Sequence, residues 1–403
     1  MTYKEILRLY KSGELSTEQR EQVEKELEKQ EAINEYLFEN EQVPEFSELD
    51  FAREKDNEKQ DFDEKSFLKM IKKSIRRAFL KLGLGVGVAV AAVVLAVIMF
   101  VNNVLPGIIE GRYYNPAQIV GVVEKTQNET NKMTLDTAVY TELFSPGYYR
   151  IKVNVKNDGG GNYDVHIPQN FSVNGQFRDV YGTVEKGKLS LFGENIFKTP
   201  DRNVFATEET EGLTGLAGYG AAGDAESAKR KLEGLDESDY YVGFVTFDKV
   251  MTYDELAEWS EETGVTPEWC AMCRQQDEGE YTASDVIGFN FIASSGALGY
   301  NKEEYSYLVY NDLVNEVEDF PAPADEEIME THIKSMLRYM VDNEDFCEMV
   351  GSVFPQNEYE RFIQSIDEYG INTYGFAVVA QKSELLRISE LEGVQYVCTE
   401  PLR

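Results

Sequence analysis

Residues 82–109 read LGLGVGVAVAAVVLAVIMFVNNVLPGII and carry no charged side chain. As an α-helix, the apolar core at residues 84–101 spans ~27 Å, close to the ~30 Å hydrocarbon layer of a bilayer. The stretch starts too far from the N-terminus for an ordinary signal peptide, and no cleavage pattern of small residues follows it. The sequence therefore predicts a single transmembrane helix over residues 82–105.

A block of positive charge precedes this apolar stretch. Residues 65–81 contain no acid and seven basic side chains, namely Lys65, Lys69, Lys72, Lys73, Arg76, Arg77 and Lys81. Basic residues beside a membrane segment mark its cytoplasmic end. We therefore expect a single-pass protein of the cell membrane, with its N-terminus in the cytoplasm and its C-terminal domain outside.

The basic block belongs to an amphipathic helix that we predict over residues 62–81. Its apolar side chains recur every four residues, at Phe67, Ile71, Ile75 and Phe79. Two compatible interpretations follow from this pattern. The helix lies on anionic lipid headgroups, or it contacts a cytosolic partner.

Within the apolar stretch, Gly83, Gly87 and Ala91 fall on one helix face at four-residue spacing. Such faces let membrane helices approach closely, which suggests a homodimer. Small residues are also common in membrane helices, so ordinary packing is the alternative.

The net charge of −34 is divided unevenly along the chain. Residues 1–101 hold 16 Lys and Arg against 20 Asp and Glu, whereas residues 102–403 hold 23 against 53, a net charge of −30. This acidity argues against nucleic acid or anionic lipid as a partner of the exported part. The simple explanation is that the acidic residues keep an exposed domain soluble. The more specific explanation is that they bind a cationic ligand or a divalent cation.

The first forty residues predict a small helical domain, 1–40. The first helix has an apolar stripe that includes Leu7 and Tyr10, and a second helix follows from an N-cap at Ser16. The apolar side chains of the second helix are Val23, Leu27, Ile33 and Leu37. Two such short helices bury little surface by themselves, so we expect them to pack against another protein. Residues 41–61 are predicted to be an acidic linker.

Beyond the membrane, the pattern changes to that of strands. Residues 148–157 alternate apolar and polar side chains, and a Gly-Gly-Gly turn at 159–161 leads into a returning strand at 163–173. We therefore predict a β-rich region over 106–209. The Gly- and Ala-rich stretch that follows predicts a linker over 210–237.

The C-terminal part, 238–403, contains an internal repeat. A strand at 240–247, a helix at 252–262 and a strand near 269–272 recur as 374–380, 383–391 and 395–398. Two further helices are predicted between the copies, at 325–341 and 356–369. Two βαβ units in one domain are typical of a ferredoxin-like sheet.

The predicted fold class is therefore multi-part. It combines an all-α cytosolic helical domain, one transmembrane helix and an α+β ectodomain with a β-rich membrane-proximal part and a ferredoxin-like C-terminal part.

Candidate catalytic residues are few. The two histidines, His166 and His332, have no His or Cys neighbour at metal-ligand spacing, and the sequence contains no GxSxG, phosphate-binding Gly loop or HExxH. We therefore expect neither an enzyme nor a cofactor or metal.

All four cysteines follow the membrane segment, where disulfides persist. Residues 269–273 read WCAMC, which resembles the redox motif of thioredoxin-like proteins, but no helix pattern begins at Cys270. A local disulfide between Cys270 and Cys273 is the simpler interpretation. With Cys347 and Cys398, three disulfide pairings are open. A zinc site formed by these cysteines is also open in principle, although their spacing is not diagnostic of one.

Several segments resemble a known family. Residues 10–37, YKSGELSTEQREQVEKELEKQEAINEYL, resemble the N-terminal helical domain of bacterial anti-sigma factors. Zinc-containing members carry one His and two Cys where this chain has Glu26, Gln30 and Ile33, so the resemblance implies no metal here. Residues 62–90, 240–256 and 374–391 resemble the membrane-entry segment and extracellular domain of sigma factor regulators of Gram-positive bacteria.

The resemblance implies a transmembrane anti-sigma factor. Its cytosolic helices would hold an extracytoplasmic-function sigma factor, and its ectodomain would receive an envelope signal from an unknown ligand. The residues that we expect to contact the sigma factor, or to pack the hairpin itself, are Leu7, Tyr10, Val23, Leu27 and Leu37. The alternative is a membrane-anchored extracytoplasmic binding or thiol-redox protein that uses Cys270 and Cys273.

Overall fold

A computed structural model describes most of the chain beyond the N-terminal 63 residues. The described residues are 10, 23–25, 28–29, 64–104, 107–108, 111–146, 148–150, 152–171, 177–197, 204–205, 210–215, 224–292, 297–309, 312–313 and 323–401. The chain divides into two units, Met1–Val86 and Gly87–Arg403. The linker predicted over 41–61 lies outside the described residues.

Helix α1 runs without interruption from Glu64 to Met99 and continues as a π-helical turn, Phe100–Val104. The basic segment and the apolar segment are therefore parts of one helix. Within it, Leu68–Met99 is long and apolar enough to cross a membrane by length and composition. Its described apolar side chains, from Leu68 onward, are exposed.

Residues 111–197 begin with a two-stranded antiparallel sheet of β1, Ile119–Val123, and β2, Asn128–Asn131. Helix α2, Lys132–Phe144, follows directly, because the side chain of Asn131 accepts a hydrogen bond from the backbone N–H of Thr134 and so caps the first turn. This helix is absent from the sequence-based prediction for the region. Nearly all of its side chains are buried, so it has no polar face to produce a helical pattern.

The prediction of β structure in this region is otherwise confirmed by a five-stranded sheet. The strands are β3, Tyr148–Arg150; β4, Asn154–Gly159; β5, Asn162–Phe171; β6, Phe177–Glu185; and β7, Lys188–Leu191. They are arranged in the order β3-β5-β6-β7, and β4 also pairs with β5. The β4–β5 turn uses positive φ angles at all three of its glycines, which explains the Gly-Gly-Gly sequence.

The larger sheet is formed by the C-terminal part of the chain. Its strands are β8, Leu213–Thr214; β9, Tyr240–Thr252; β10, Trp269–Asp277; β11, Glu280–Thr282; β12, Gly288–Asn290; β13, Asn372–Gln381; and β14, Val394–Pro401. The order is β14-β9-β13-β10-β11-β8, with β12 also paired to β10. Every pairing is antiparallel except that of β11 with β8.

Helices connect these strands. They are α3, Ala225–Glu233; α4, Tyr253–Thr263; α5, Glu326–Asp342; α6, Glu344–Val350; α7, Gln356–Tyr369; and α8, Lys382–Ser389. The repeat predicted from sequence is observed as β9–α4–β10 and β13–α8–β14. Residues 210–237, predicted to be a linker, contain β8 and α3.

The ends of α4 are fixed by local sequence. The Thr252 side chain and Glu255 form a reciprocal capping box at the N-terminus, and Gly264 closes the C-terminus in the left-handed conformation.

One continuous hydrophobic cluster extends from Tyr114 to Val397 and includes most of α2. Residues of the β-rich region and of the C-terminal part therefore share a core. A second cluster lies on the other face of the larger sheet, where Phe205 packs with Phe244 and Tyr374.

Candidate functional site

The WCAMC sequence lies inside β10, between β13 and β12. Cys270 pairs with Phe376 on one side and Phe289 on the other. The Cys270 side chain belongs to the continuous cluster, whereas that of Cys273 belongs to the second cluster on the other face of the sheet. The strand therefore does not bring these two thiols together, and no helix begins at Cys270 as a thioredoxin-like site requires.

Burial also disfavours ionisation of these thiols. It raises the pKa of Cys270 and Cys273 well above the ordinary thiol value. Burial likewise raises the pKa of Cys347, in α6, to about 11. Reactive cysteines instead have a lowered pKa and some exposure. Cys398, in β14, is also buried and none of the four forms a disulfide, so the environment of the cysteines is that of core packing.

A buried polar network surrounds Asp136 on α2. The hydroxyls of Tyr114 and Tyr339 each donate a hydrogen bond of 2.6 Å to this carboxylate, and Lys132 Nζ lies 3.3 Å from it. Burial raises the pKa of Asp136, against the opposing effect of Lys132 and the two tyrosine hydroxyls. Lys132 also contacts Asn343 and lies 3.5 Å from Asp345, so the network joins α2 to α5 and α6.

A second network surrounds Glu142, near the other end of α2. Its Oε1 atom lies 2.9 Å from Nε2 of His332 and accepts a hydrogen bond of 3.4 Å from the backbone N–H of Asn290. Nδ1 of His332 lies 2.6 Å from the carbonyl oxygen of Tyr307. The carbonyl oxygen of Glu142 accepts a 2.6 Å hydrogen bond from Trp269 Nε1. Glu142 therefore connects α2 to α5, β10 and β12.

These networks position helix α2. His332 is fully buried, and its two ring nitrogens face the Glu142 carboxylate and the Tyr307 carbonyl. Among the residues that the structure describes, no group of three or more His, Cys, Asp or Glu side chains is arranged to hold a metal ion.

His166, the other histidine, lies on the outer face of the five-stranded sheet. Its ring stacks on that of Tyr181, with centroids 4.5 Å apart and an interplanar angle of 9°. Nε2 lies 2.7 Å from Asp179 Oδ1.

Sequence reasoning did not identify Asp136, Glu142 or their partners. Asn131, with its cap to Thr134, is the local signal that could have located α2. No local pattern connects Asp136 to Tyr339, which lies 203 residues further along the chain.

Of the five predicted partner-binding residues, the structure describes Tyr10 and Val23. Both lie in helical backbone, and the Tyr10 hydroxyl donates a hydrogen bond of 3.2 Å to Glu24 Oε1, fourteen residues away. Val23 is only 8 % exposed, which means that it packs within the chain. Leu7, Leu27 and Leu37 lie outside the described residues.

Comparison with known protein families gives a match to the C-terminal part of the chain. Residues 232–398, less than half of the chain, match a family model described as "Sigma factor regulator C-terminal". No curated protein and no solved structure matches the chain.

Proposed function

We propose that the chain is a membrane-bound anti-sigma factor, on the premise that residues 232–398 match the model of the sigma factor regulator C-terminal family. Its cytosolic helices sequester an extracytoplasmic-function sigma factor and release it when the ectodomain receives an envelope signal. The family match is the observation that carries this proposal. It supports a regulatory, non-enzymatic role toward a sigma factor.

The membrane topology of the proposal is supported by α1. This helix is long and apolar enough to cross a membrane, and its basic segment, 65–81, precedes the apolar one. The charge bias favours a cytoplasmic N-terminus and an extracellular C-terminal domain. Gly83 and Gly87 have open surface around them, which would suit a homodimer in the membrane.

The proposed contacts with the sigma factor are Leu7, Tyr10, Val23, Leu27 and Leu37, in a helical domain at 1–40. The hydrogen bond between Tyr10 and Glu24 supports a paired arrangement of the two helices. The burial of Val23 supports an indirect role, in which this side chain holds the hairpin in its binding shape.

For residues 238–403, we propose a ferredoxin-like arrangement of two βαβ units as the sensor domain. The strand order β14-β9-β13-β10, with antiparallel neighbours throughout, supports this arrangement. The shared core favours a sensor in which residues 106–209 move together with this domain. In this proposal, the sigma factor is released either by a conformational shift across the membrane or by regulated proteolysis.

The experiment that tests the proposal uses the full-length chain, tagged at its C-terminus and purified from membranes. We expect the purified protein to retain a bound sigma factor. We also expect deletion of the gene to increase sigma-dependent transcription. Tyr10→Ala should reduce the amount of sigma factor retained, whereas Lys25→Ala, at an exposed helical position, is the matched control. Failure to retain any sigma factor, with transcription unchanged on deletion, would overturn the proposal.

A further inference from the structure

The N-terminal half of α1, residues 64–81, presents two different stripes of side chains. Successive residues of a helix are rotated by about 100°, so the positions of side chains around its axis follow from the sequence. An apolar stripe occupies about 80° of the circumference and consists of Leu68, Ile71, Ile75 and Phe79. A basic stripe occupies about 180° on the other side and consists of Lys65, Lys69, Lys72, Lys73, Arg76, Arg77 and Lys81. Met70 and Leu80 interrupt the basic stripe.

Both stripes are exposed. The apolar side chains range from 38 % exposed at Ile71 to 71 % exposed at Phe79, and the side chains of the basic stripe are exposed as well. An amphipathic helix of a globular domain packs its apolar face against the core. No residue that the structure describes buries the apolar stripe in that way. Its burial therefore requires a surface other than those described.

The charge of the segment indicates the class of partner. Residues 65–81 carry seven Lys and Arg and no Asp or Glu. A basic cluster immediately beside a membrane helix is attracted by the negative surface potential of anionic lipids. The complementary surface is therefore an anionic one.

The placement of the two stripes favours a lipid surface over a protein. A protein groove that buried the apolar stripe would leave the basic side chains, which lie on the other side of the helix, without anionic partners. In a membrane interface, the apolar stripe is buried at the acyl-chain boundary and headgroups surround the rest of the helix. The long Lys and Arg side chains then reach the lipid phosphates. One surface therefore accommodates both stripes.

The position of this segment along the chain supports the same partner. The uncharged stretch at 82–109 follows the basic stripe directly, and Leu68–Met99 is long and apolar enough to cross a membrane. Covalent connection to a membrane-spanning segment keeps residues 64–81 close to lipid, which gives the lipid surface a higher effective concentration than a soluble partner has.

We propose that residues 64–81 bind the anionic phospholipid headgroups of the cytoplasmic leaflet. The apolar stripe lies at the acyl-chain boundary, and the Lys and Arg side chains contact lipid phosphates. The inference deepens the proposed function, because it names the partner of the segment between the proposed sigma factor-binding domain, 1–40, and the membrane helix. It rests on the proposed cytoplasmic location of the N-terminus.

The test uses the full-length protein with a spin label on the apolar stripe, attached at Ile75→Cys. The four native cysteines are buried, so the label attaches to the introduced thiol. The protein is reconstituted into vesicles of phosphatidylcholine alone or of equimolar phosphatidylcholine and phosphatidylglycerol. Electron paramagnetic resonance then compares the access of oxygen, which enters the bilayer, with that of a water-soluble nickel chelate. A label at Val353→Cys, an exposed position in the C-terminal part, is the matched control.

We expect the ratio of oxygen access to nickel access at residue 75 to be about threefold higher with phosphatidylglycerol than without it, and to fall with added salt. The control label should show the same ratio in both vesicles. Neutralisation of the stripe by Lys72→Gln, Lys73→Gln, Arg76→Gln and Arg77→Gln should abolish the increase. Lys72→Arg with Lys73→Arg retains the charge and should preserve it.

A label at residue 75 that remains in water in both vesicles would overturn the inference. An equal ratio in both vesicles would also overturn it, as would a label that is shielded only when purified sigma factor is added. Lipid-dependent burial in a chain that retains no sigma factor would contradict the proposed function alone. Retention of sigma factor without lipid-dependent burial would contradict only this inference.

Discussion

The indole nitrogen of Trp269 donates a hydrogen bond of 2.6 Å to the carbonyl oxygen of Glu142, which lies 127 residues earlier in the chain. This bond joins a central strand of the larger sheet, β10, to the end of α2. Both groups are buried, so neither has water as an alternative partner.

Replacement of Trp269 should therefore destabilise the whole C-terminal unit. Trp269→Phe removes the donor, leaves the Glu142 carbonyl unpaired and creates a small cavity, with an expected loss of about 2–4 kcal/mol in unfolding free energy. Urea unfolding of the full-length protein in detergent measures it. Trp259→Phe is the control, because Trp259 is only partly buried and its hydrogen bond to Glu392 is longer, at 3.3 Å. Equal losses in the two variants would contradict this prediction.

Glu142 should contribute more to stability than an exposed glutamate in an ion pair. Glu142→Ala removes the carboxylate that faces Nε2 of the buried His332 ring and accepts the hydrogen bond from the Asn290 N–H, so we expect a loss of about 3 kcal/mol. Glu384→Ala breaks a well-exposed pair with Arg387 and should cost no more than about 1 kcal/mol. The same unfolding experiment compares them, and similar losses would show that the Glu142 network contributes little.

The buried carboxyl of Asp136 should make the stability of the protein depend on pH. Because burial raises its pKa in the folded state, the folded protein binds this proton more tightly than the unfolded chain does. Above the raised pKa, the ionised carboxylate therefore destabilises the folded protein. This destabilisation is lost as the pH falls toward the pKa of Asp136 in the unfolded chain. The amide introduced by Asp136→Asn does not titrate, so the stability of the unmodified protein relative to that of this variant should increase on acidification. The prediction would be refuted if the difference in unfolding free energy between the unmodified protein and this variant did not change with pH, or changed in the opposite direction.

The cysteines should be unreactive in the folded protein. Burial raises the pKa of the Cys270, Cys273 and Cys347 thiols, so few thiolates are present at neutral pH. We expect reaction with a thiol reagent to follow the rate of unfolding, and the double variant Cys270→Ala, Cys273→Ala to retain sigma factor. Rapid labelling of the folded protein at Cys270 or Cys273 would restore the thiol-redox alternative.

Sequence patterns predict the helices and strands that have one face in the apolar core and the other face in a polar environment. The two strand–helix–strand copies are predictable because α4 and α8 each have a buried and an exposed side, and because Gly264 and Gly393 each lie between the helix and the strand that follows it. The apolar length of α1 was evident from composition alone.

Helix α2 could not be found in the same way, because its core environment surrounds it on all sides and its threonines and valine favour a strand prediction. The same limit applies to the polar networks. Asp136 and Glu142 resemble any of the many acidic residues of this chain until Tyr339 and His332 are placed beside them.

The position of α2 at the centre of the core also sets the order in which the chain can fold. The helix is synthesised early, but its partners on β12 and α5 follow some 150–200 residues later. β14, at the end of the described chain, pairs with β9 rather than with a recent neighbour. Such distant pairings make folding slow, and the part of the α2 surface that contacts β12 and α5 stays uncovered until these elements are synthesised. Chaperone protection during this interval would therefore matter more for this chain than for one built from local contacts.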